Sequence, residues 1–79
     1  MKYQVNVMPR PEALDPQGRA VQSALNRLGF KVNDCRVGKV VLVDLLDVTD
    51  KSEGLKLATV MAEKILANPL IEIFEVKSL

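Results

Sequence analysis

The stretch Val40-Val41-Leu42-Val43-Asp44-Leu45-Leu46 is the most strongly strand-forming segment of this 79-residue chain, because it is dense in β-branched residues. Apolar side chains point to both faces of the predicted strand. An ordinary two-layer domain would cover only one face of such a sheet. The stretch therefore predicts that a second subunit lies against the outer face, so that the protein dimerises through its sheet.

Three further strands are predicted on either side of this stretch. Lys2 to Met8 alternates between apolar and polar residues, as a strand with one buried face does. Lys31 to Val37 is a weaker strand with an expected bulge or bend, and Gly38-Lys39 forms a turn into the strong strand. Leu70 to Val76 is apolar in both phases, which predicts a last strand with two covered faces.

Two helices separate these strands. Asp15-Pro16 begins the first, because the carboxylate can accept from free first-turn amides and proline suits the first helical position; this helix runs to Gly29. Asp50, three residues before Glu53, resembles a capping box and begins the second helix, which Asn68-Pro69 ends. Each helix has one apolar stripe, consisting of Val21, Ala24, Leu25 and Leu28 in the first and of Leu57, Ala58, Met61, Ala62, Ile65 and Leu66 in the second.

The order of elements is thus β-α-β-β-α-β, which is typical of a split βαβ, ferredoxin-like α+β domain. We expect one domain over residues 1–79, with two helices on one face of a four-stranded antiparallel sheet. A domain this small has a limited core, and such domains commonly gain stability from disulfides, metals or oligomerisation. One cysteine cannot form a disulfide within the chain, and without histidine the commonest metal ligand is missing, so oligomerisation is the remaining source of added stability.

Composition argues against an independent enzyme. The chain has no histidine, no glycine-rich phosphate loop and a single cysteine, Cys35, which is more often a packed small hydrophobe than a nucleophile. The formal net charge of +1 disfavours binding to nucleic acid or anionic lipid. The N-terminus lacks a signal-peptide pattern, and no apolar run approaches membrane-spanning length, so we expect a soluble cytoplasmic protein.

Three short motifs have a structural explanation, and the first of them leaves a functional one open. Asp15-Pro16-Gln17-Gly18 is explained as a helix start, except that glycine in a first turn costs about 1 kcal/mol relative to alanine. Gly18 could therefore admit another backbone or a ligand at close range. Arg36-Val37-Gly38-Lys39 is explained as a turn with solvated charges. Asn68-Pro69 is explained as a helix stop.

Glu72 is a carboxylate within an otherwise apolar strand. An unpaired buried charge is very costly, so this group must either reach solvent or meet a partner. Arg36, Lys39 and a residue of another chain are the candidate partners. The sequence alone leaves an edge position and an intersubunit contact equally open.

Taken together, these stretches resemble the PurS family, the small subunit of the multi-subunit phosphoribosylformylglycinamidine (FGAM) synthase of purine biosynthesis. The resemblance runs nearly end to end and rests on the order and spacing of four pieces. These are Leu14-Asp15-Pro16-Gln17-Gly18, Leu28-Gly29-Phe30, Val37-Gly38-Lys39 before a strand, and Leu66-Ala67-Asn68-Pro69-Leu70-Ile71-Glu72 followed by Phe74-Glu75-Val76.

The resemblance implies a non-catalytic subunit without a cofactor of its own. In the family, a synthetase subunit uses ATP and Mg²⁺ to activate formylglycinamide ribonucleotide, a glutaminase subunit releases ammonia, and a dimer of the small subunit bridges the two. The expected partners are therefore another copy of the chain and these two larger subunits. Candidate interface residues are Asp15, Gln17, Gly18, Arg36, Gly38, Lys39, Asn68 and Glu72.

A second hypothesis is a regulatory module that binds a small ligand, since βαββαβ domains often dimerise and bind amino acids or nucleotides between subunits. This alternative rests on fold analogy alone.

Overall fold

The computed structural model describes residues 1–79 and contains a three-stranded antiparallel sheet with two helices. Its elements are strand β1 (Lys2–Pro9), helix α1 (Pro16–Arg27), strand β2 (Lys39–Asp44), helix α2 (Lys51–Met61), a π-helical turn that continues α2 (Ala62–Leu66), and strand β3 (Glu72–Ser78). The strand order is β2-β1-β3, so β1 is central and both other strands are edges. The predicted α+β class is confirmed.

The sheet has one covered and one open face. Val5 of β1 pairs with Val41 of β2 and Val76 of β3, and all three point to the side of α2. Tyr3, Val5 and Val7 are fully buried there. The alternation predicted for β1 is therefore confirmed, with its apolar phase forming the floor of the core.

Helix α2 contacts this floor with its smallest residues. Gly54, Ala58 and Ala62 are its buried positions, and because they carry little or no side chain the helix axis can lie close to the sheet. Past Ala62 the chain widens into the π-helical turn, in which the amide of Ala67 donates to the carbonyl of Ala62 at 3.0 Å. The wider turn brings Ala67 into the core and leaves Ile65 83% exposed. Leu57 and Met61 are exposed as well, so the predicted burial of these three stripe residues is wrong.

The predicted strand from Lys31 to Val37 is absent, so the sheet has three strands and not four. Side chains of the α1 region satisfy the main chain of this segment in place of a neighbouring strand. The amide of Val32 donates to Asn26 Oδ1 at 2.9 Å, and Gln22 Nε2 donates to the carbonyl of Asn33 at 3.1 Å. The segment Lys31–Val37 thus returns along α1, and we call it the return segment.

Helix α1 does not pack on the sheet, which corrects the expectation of two helices on one face. Neither apolar cluster of the core contains an α1 residue, and Gly18 is the only buried residue of the helix. A helix of 12 residues is about 18 Å long and a strand of eight about 26 Å. The molecule is 49 Å long, much longer than its longest strand, and α1 contributes to neither core cluster, so α1 extends beyond the end of the sheet.

The outer face of the sheet carries apolar residues without cover. Val40 and Leu42 of β2 are 59% and 68% exposed, and Met8 and Ile73 are exposed on the neighbouring strands. The prediction that apolar side chains of β2 point both ways is confirmed.

No helix of the chain has the length and apolar character needed to cross a membrane.

Candidate interaction site

Most of the residues singled out in the sequence meet at one end of the sheet, where β1 ends. Pro9 pairs with Glu72 at the start of β3, and Val7 pairs with Lys39 at the start of β2. The loop that leads to α1 also begins there. We call the three segments that converge at this end, residues 10–18, 35–39 and 68–72, the junction.

Asp15 links two of these segments through its carboxylate. Its Oδ1 accepts a hydrogen bond from the amide of Gly18 at 2.9 Å, which caps helix α1. Its Oδ2 accepts from the amide of Val37 at 2.8 Å, at the end of the return segment. Arg36 Nε lies 3.9 Å from the same oxygen, and the Asp15 side chain is only 9% exposed. Asp15 therefore joins the start of α1 to the segment that enters β2.

The pKa of Asp15 is lowered from its ordinary value by these contacts. The largest cause is the hydrogen bond from the amide of Gly18, followed by that from Val37. Burial opposes the shift, and the positive charge of Arg36 adds to it. The carboxylate is thus stabilised in its charged form by the folded main chain.

Gly18 is a glycine because main chain lies against it. A Cβ at this position would overlap the carbonyl oxygen of Cys35 as well as the Asp15 carboxylate. Of the two explanations that the sequence left open, close approach of another backbone is the one the structure shows. The first turn of α1 and the return segment are consequently in direct contact.

Arg36 and Arg10 extend these contacts across the junction. Arg36 Nη2 donates to the carbonyls of Arg10 and Ala13, at 2.6 and 3.1 Å, and so holds the loop before α1. Arg10 in turn donates from Nε and Nη2 to the carbonyl of Pro69, at 3.0 and 2.8 Å. The two guanidinium groups connect all three segments.

Asn68 and Glu72 form a local turn before β3. Asn68 Oδ1 accepts from the amide of Leu70 at 3.1 Å, and Glu72 Oε1 accepts from the amide of Asn68 at 2.7 Å. The hydrogen-bond partner of the Glu72 carboxylate in this chain is thus the main chain of Asn68, and neither Arg36 nor Lys39 is among its contacts. Both residues stabilise the end of the helical region.

The remaining candidates lie at the edge of the junction. A Cβ at Gly38 would overlap the carbonyl of Val7 and the sulfur of Met8, so this glycine also permits close packing. Lys39 is exposed at the start of β2, and Gln17 is exposed on the first turn of α1. Among the eight candidate residues, the side chains of Gln17 and Lys39 are exposed to solvent and make no hydrogen bond within the chain.

Arg10 is the main junction residue that the sequence did not single out. Its position between Pro9 and Pro11 marks a loop with few free amide donors, which is a weak signal that a side chain supplies hydrogen bonds instead. The sequence also contained no sign that Tyr3 of β1 packs directly against Gly54 of α2 in the core. The pairing becomes visible only once β1 and α2 are in contact.

The arrangement of charged groups at the junction is suited to holding main chain in position. Asp15, Arg10, Arg36 and Glu72 each bind backbone amides or carbonyls, and no buried side-chain nitrogen or oxygen lacks a partner. A shallow groove of about 620 Å³ lies on the open outer face between Met8, Val40 and Ile73. The fold and the junction thus define a small antiparallel α+β protein with an extended, uncovered surface.

A family model for PurS, described as phosphoribosylformylglycinamidine (FGAM) synthase, matches residues 2–79. The chain therefore belongs to the PurS family, and the resemblance drawn from its motifs is confirmed. Its function is that of a subunit of FGAM synthase, a ligase complex.

Relatives and solved structures agree over nearly the whole chain. The PurS subunit of Mycobacterium leprae is 45% identical over 69 residues, which cover 86% of this chain and 82% of that protein. The crystal structure of Methanocaldococcus jannaschii PurS superposes with a TM-score of 0.82 at 31% identity, covering 96% of this chain and 92% of the other. A chain of the Thermotoga maritima PurLQS structure gives a TM-score of 0.88 at 26% identity, with 99% and 95% covered.

Proposed function

We propose that this chain is a non-catalytic adaptor: copies of it associate with one another, and the assembly bridges the glutaminase and synthetase subunits of FGAM synthase so that ammonia passes between them. The Thermotoga maritima PurLQS structure supports the bridging role, because a chain with the same fold is part of that structure. In this proposal ATP and Mg²⁺ are bound by the synthetase subunit, and the complex works in the cytoplasm.

The observation that supports self-association is that the single chain exposes more surface than a compact monomer of its mass. A compact monomer of 8.7 kDa exposes about 4,700 Å², whereas this chain exposes 5927 Å². Its radius of gyration is 15.7 Å, against about 11.6 Å for a compact domain of this length. The excess of about 1,200 Å² is larger than the roughly 800 Å² that each partner buries in an interface of standard size.

Helix α1 is one source of exposed apolar surface. An isolated helix of about 12 residues is marginal in water, and helices in proteins are stabilised chiefly by packing an apolar face. No residue of the α1 stripe belongs to an apolar cluster of the core. Ala24 and Leu25 are half-buried, whereas Val21 is exposed and Leu28 at the end of the helix is 75% exposed. A second copy can supply the missing contact, which makes the stripe of α1 the primary self-association surface.

The outer sheet face is the second surface. Val40 and Leu42 are exposed beside Met8 and Ile73, and edge strand β2 has no neighbour on its outer side. Uncovered edges and apolar faces of this kind are normally paired or protected in stable proteins. We therefore retain dimerisation through the sheet as part of the proposal.

A bridging subunit has a clear physical purpose. Ammonia released into bulk water at neutral pH is largely protonated, and ammonium has no free electron pair with which to attack the activated substrate. Docking the two active sites against a rigid adaptor shortens the route and protects it from water. A chain that contributes only positioned surface can in this way raise the rate of glutamine-dependent synthesis.

The test combines mass and activity. The mass of the protein in solution is measured alone and with its two larger partners, and the synthesis of FGAM is then measured with glutamine or with an ammonium salt as nitrogen donor. We expect a dimer or larger species that joins both partners, and a loss of glutamine-dependent but not ammonium-dependent activity when the chain is omitted.

Two results would contradict the proposal. A monomer at all concentrations would remove self-association. Glutamine-dependent activity that is the same with and without the chain would remove the adaptor role, whatever the mass in solution.

A further inference from the structure

We propose that Asp15 is a positioning residue that sets the direction in which helix α1 leaves the sheet, and thereby the geometry in which two copies of the chain meet. The second half of this statement rests on the self-association proposed above. The first half concerns the single chain and can be tested independently.

Helix α1 and the part of the return segment that lies along it, Lys31 to Asn33, form one unit that is attached to the sheet at its base. Asn26 exchanges hydrogen bonds with Val32 near the far end of the unit, and Gln22 binds the carbonyl of Asn33 further down. These contacts hold the return segment against the helix but do not reach the sheet. The direction of the unit is therefore decided at the base, where the loop before α1 and the approach to β2 meet.

Asp15 lies at this base and contacts both segments with different atoms. Oδ1 binds the first turn of α1 through Gly18, and Oδ2 binds the amide of Val37, two residues before β2 begins. Because the amide of Val37 is part of the chain that enters the sheet, this second bond relates the helix to the sheet. Gly18 permits the contact, since any side chain there would displace Cys35 or the carboxylate.

A small change at the base is amplified along the helix. For a helix about 18 Å long, a rotation of about 10° displaces the far end by about 3 Å. Interfaces pack with the density of protein interiors, so such a displacement is enough to mismatch facing apolar side chains. The stripe of α1 would still exist after the rotation, but it would no longer meet its counterpart.

The substitution Asp15→Asn breaks the double contact of this residue. Asparagine has one acceptor oxygen, so it can accept from Gly18 or from Val37 but not from both, and its neutral amide no longer attracts the cation of Arg36. The matched control is Asp50→Asn, because Asp50 caps α2 by accepting from Ser52 within its own helix at 3.1 Å and makes no bond to another segment.

The experiment measures the direction of α1 by pulsed electron paramagnetic resonance. Nitroxide labels are placed at Ser23→Cys on α1 and Lys56→Cys on α2, both exposed positions, in a Cys35→Ser background. Labelled chains are mixed with an excess of unlabelled ones so that distances within one chain are read. Circular dichroism monitors helix content, and sedimentation equilibrium of unlabelled variants gives the association constant.

We expect Asp15→Asn to shift or broaden the label distance and to weaken self-association at least tenfold, with helix content unchanged. Asp50→Asn should change neither distance nor association. If Asp15→Asn does not fold, Gly18→Ala takes its place with the same expectations.

An unchanged label distance in Asp15→Asn would overturn the positioning role. Equal shifts in Asp15→Asn and Asp50→Asn would overturn it too, because they would reflect helix capping in general. A wild-type protein that is monomeric at every concentration would defeat the self-association proposal, while the label distance would still decide whether Asp15 directs the helix.

Discussion

The ring of Tyr3 occupies the space that any side chain at Gly54 would need. An added Cβ at Gly54 would overlap the hydroxyl and ring carbons of Tyr3. The same hydroxyl donates to the carbonyl of Lys51 at 2.9 Å, so the first turn of α2 is held to the central strand by both packing and a hydrogen bond. This contact fixes the distance between helix and sheet.

Gly54→Ala should therefore destabilise the protein, although alanine is the better helix former. The gain in helix propensity is about 1 kcal/mol, whereas overpacking a close contact costs about 1–3 kcal/mol. We expect a lower free energy of unfolding in urea titrations at a fixed protein concentration. Lys56→Ala, at an exposed position of the same helix, is the control and should change stability by less than about 0.5 kcal/mol. A Gly54→Ala variant more stable than the wild type would show that Tyr3 can move away.

Asp15 should make the protein sensitive to acid. Its pKa is lowered in the folded state by the amides of Gly18 and Val37, while the unfolded carboxyl titrates near its ordinary value of about 3.9. The unfolded state therefore binds the proton more readily, so the contribution of Asp15 is fully present above that value and is lost as pH falls towards the folded pKa. Melting temperatures measured from pH 6 to pH 2.5 should fall less steeply in Asp15→Asn than in the wild type. Parallel curves would contradict this prediction.

Arg10→Ala should loosen the turn before β3. The substitution removes both hydrogen bonds from the guanidinium to the carbonyl of Pro69, and because this site is exposed the loss should be about 1 kcal/mol. Hydrogen exchange of the amides of Ile71 and Glu72, which both donate to Asn68, should become faster. Arg19→Ala removes an exposed arginine of α1 and provides the control for charge. Equal exchange in the two variants would count against a role for Arg10.

The two proposed self-association surfaces can be separated by single lysines. Leu28→Lys places a cation at the end of α1, where it suits the helix dipole and should leave the monomer fold intact. Leu42→Lys places a cation on the exposed outer face of the sheet. Each is expected to weaken self-association at least tenfold if its surface is buried between copies, as measured by sedimentation equilibrium, and Lys64→Ala serves as a control on the exposed π-helical turn. A variant that associates like the wild type would exclude its surface from the interface.

Local patterns predicted much of this fold correctly. The alternation of Lys2 to Met8 identified the central strand, and the cap at Asp15 with Pro16 located the start of α1, because these signals depend on neighbours in the chain. In the last strand, Phe74 and Val76 face the core and Ile73 the open side, as predicted, but β3 begins at Glu72, so the predicted strand residues Leu70 and Ile71 lie in the turn before it. The supposed strand at Lys31 to Val37 was wrong because its amides and carbonyls are satisfied by Asn26, Gln22 and Asp15, and such partners depend on contacts that a linear pattern does not contain.

The candidate site likewise has features that local sequence predicted and features that depend on contacts between distant segments. Gly18 was recognised as out of place in a helix, since its propensity penalty is a local property, but its contact with Cys35 needed the return segment to be in place. Glu72 was expected either to reach solvent or to meet a partner, and its carboxylate accepts a hydrogen bond from the amide of Asn68. Arg10 gave almost no signal, because a side chain that binds main chain across a loop follows no period.

Residue order alone established an α+β chain with two capped helices and apolar residues on both faces of its sheet, since propensity, capping and alternation act between near neighbours. The resemblance to the PurS family came separately, from the order and spacing of its motifs. Three-dimensional contacts established that α1 stands off the sheet, that Asp15 joins the helix base to the approach to β2, and that an apolar helix face is left uncovered. The physical reason is that hydrogen bonds and packing between distant segments depend on where the whole chain places them, and no local pattern encodes that placement.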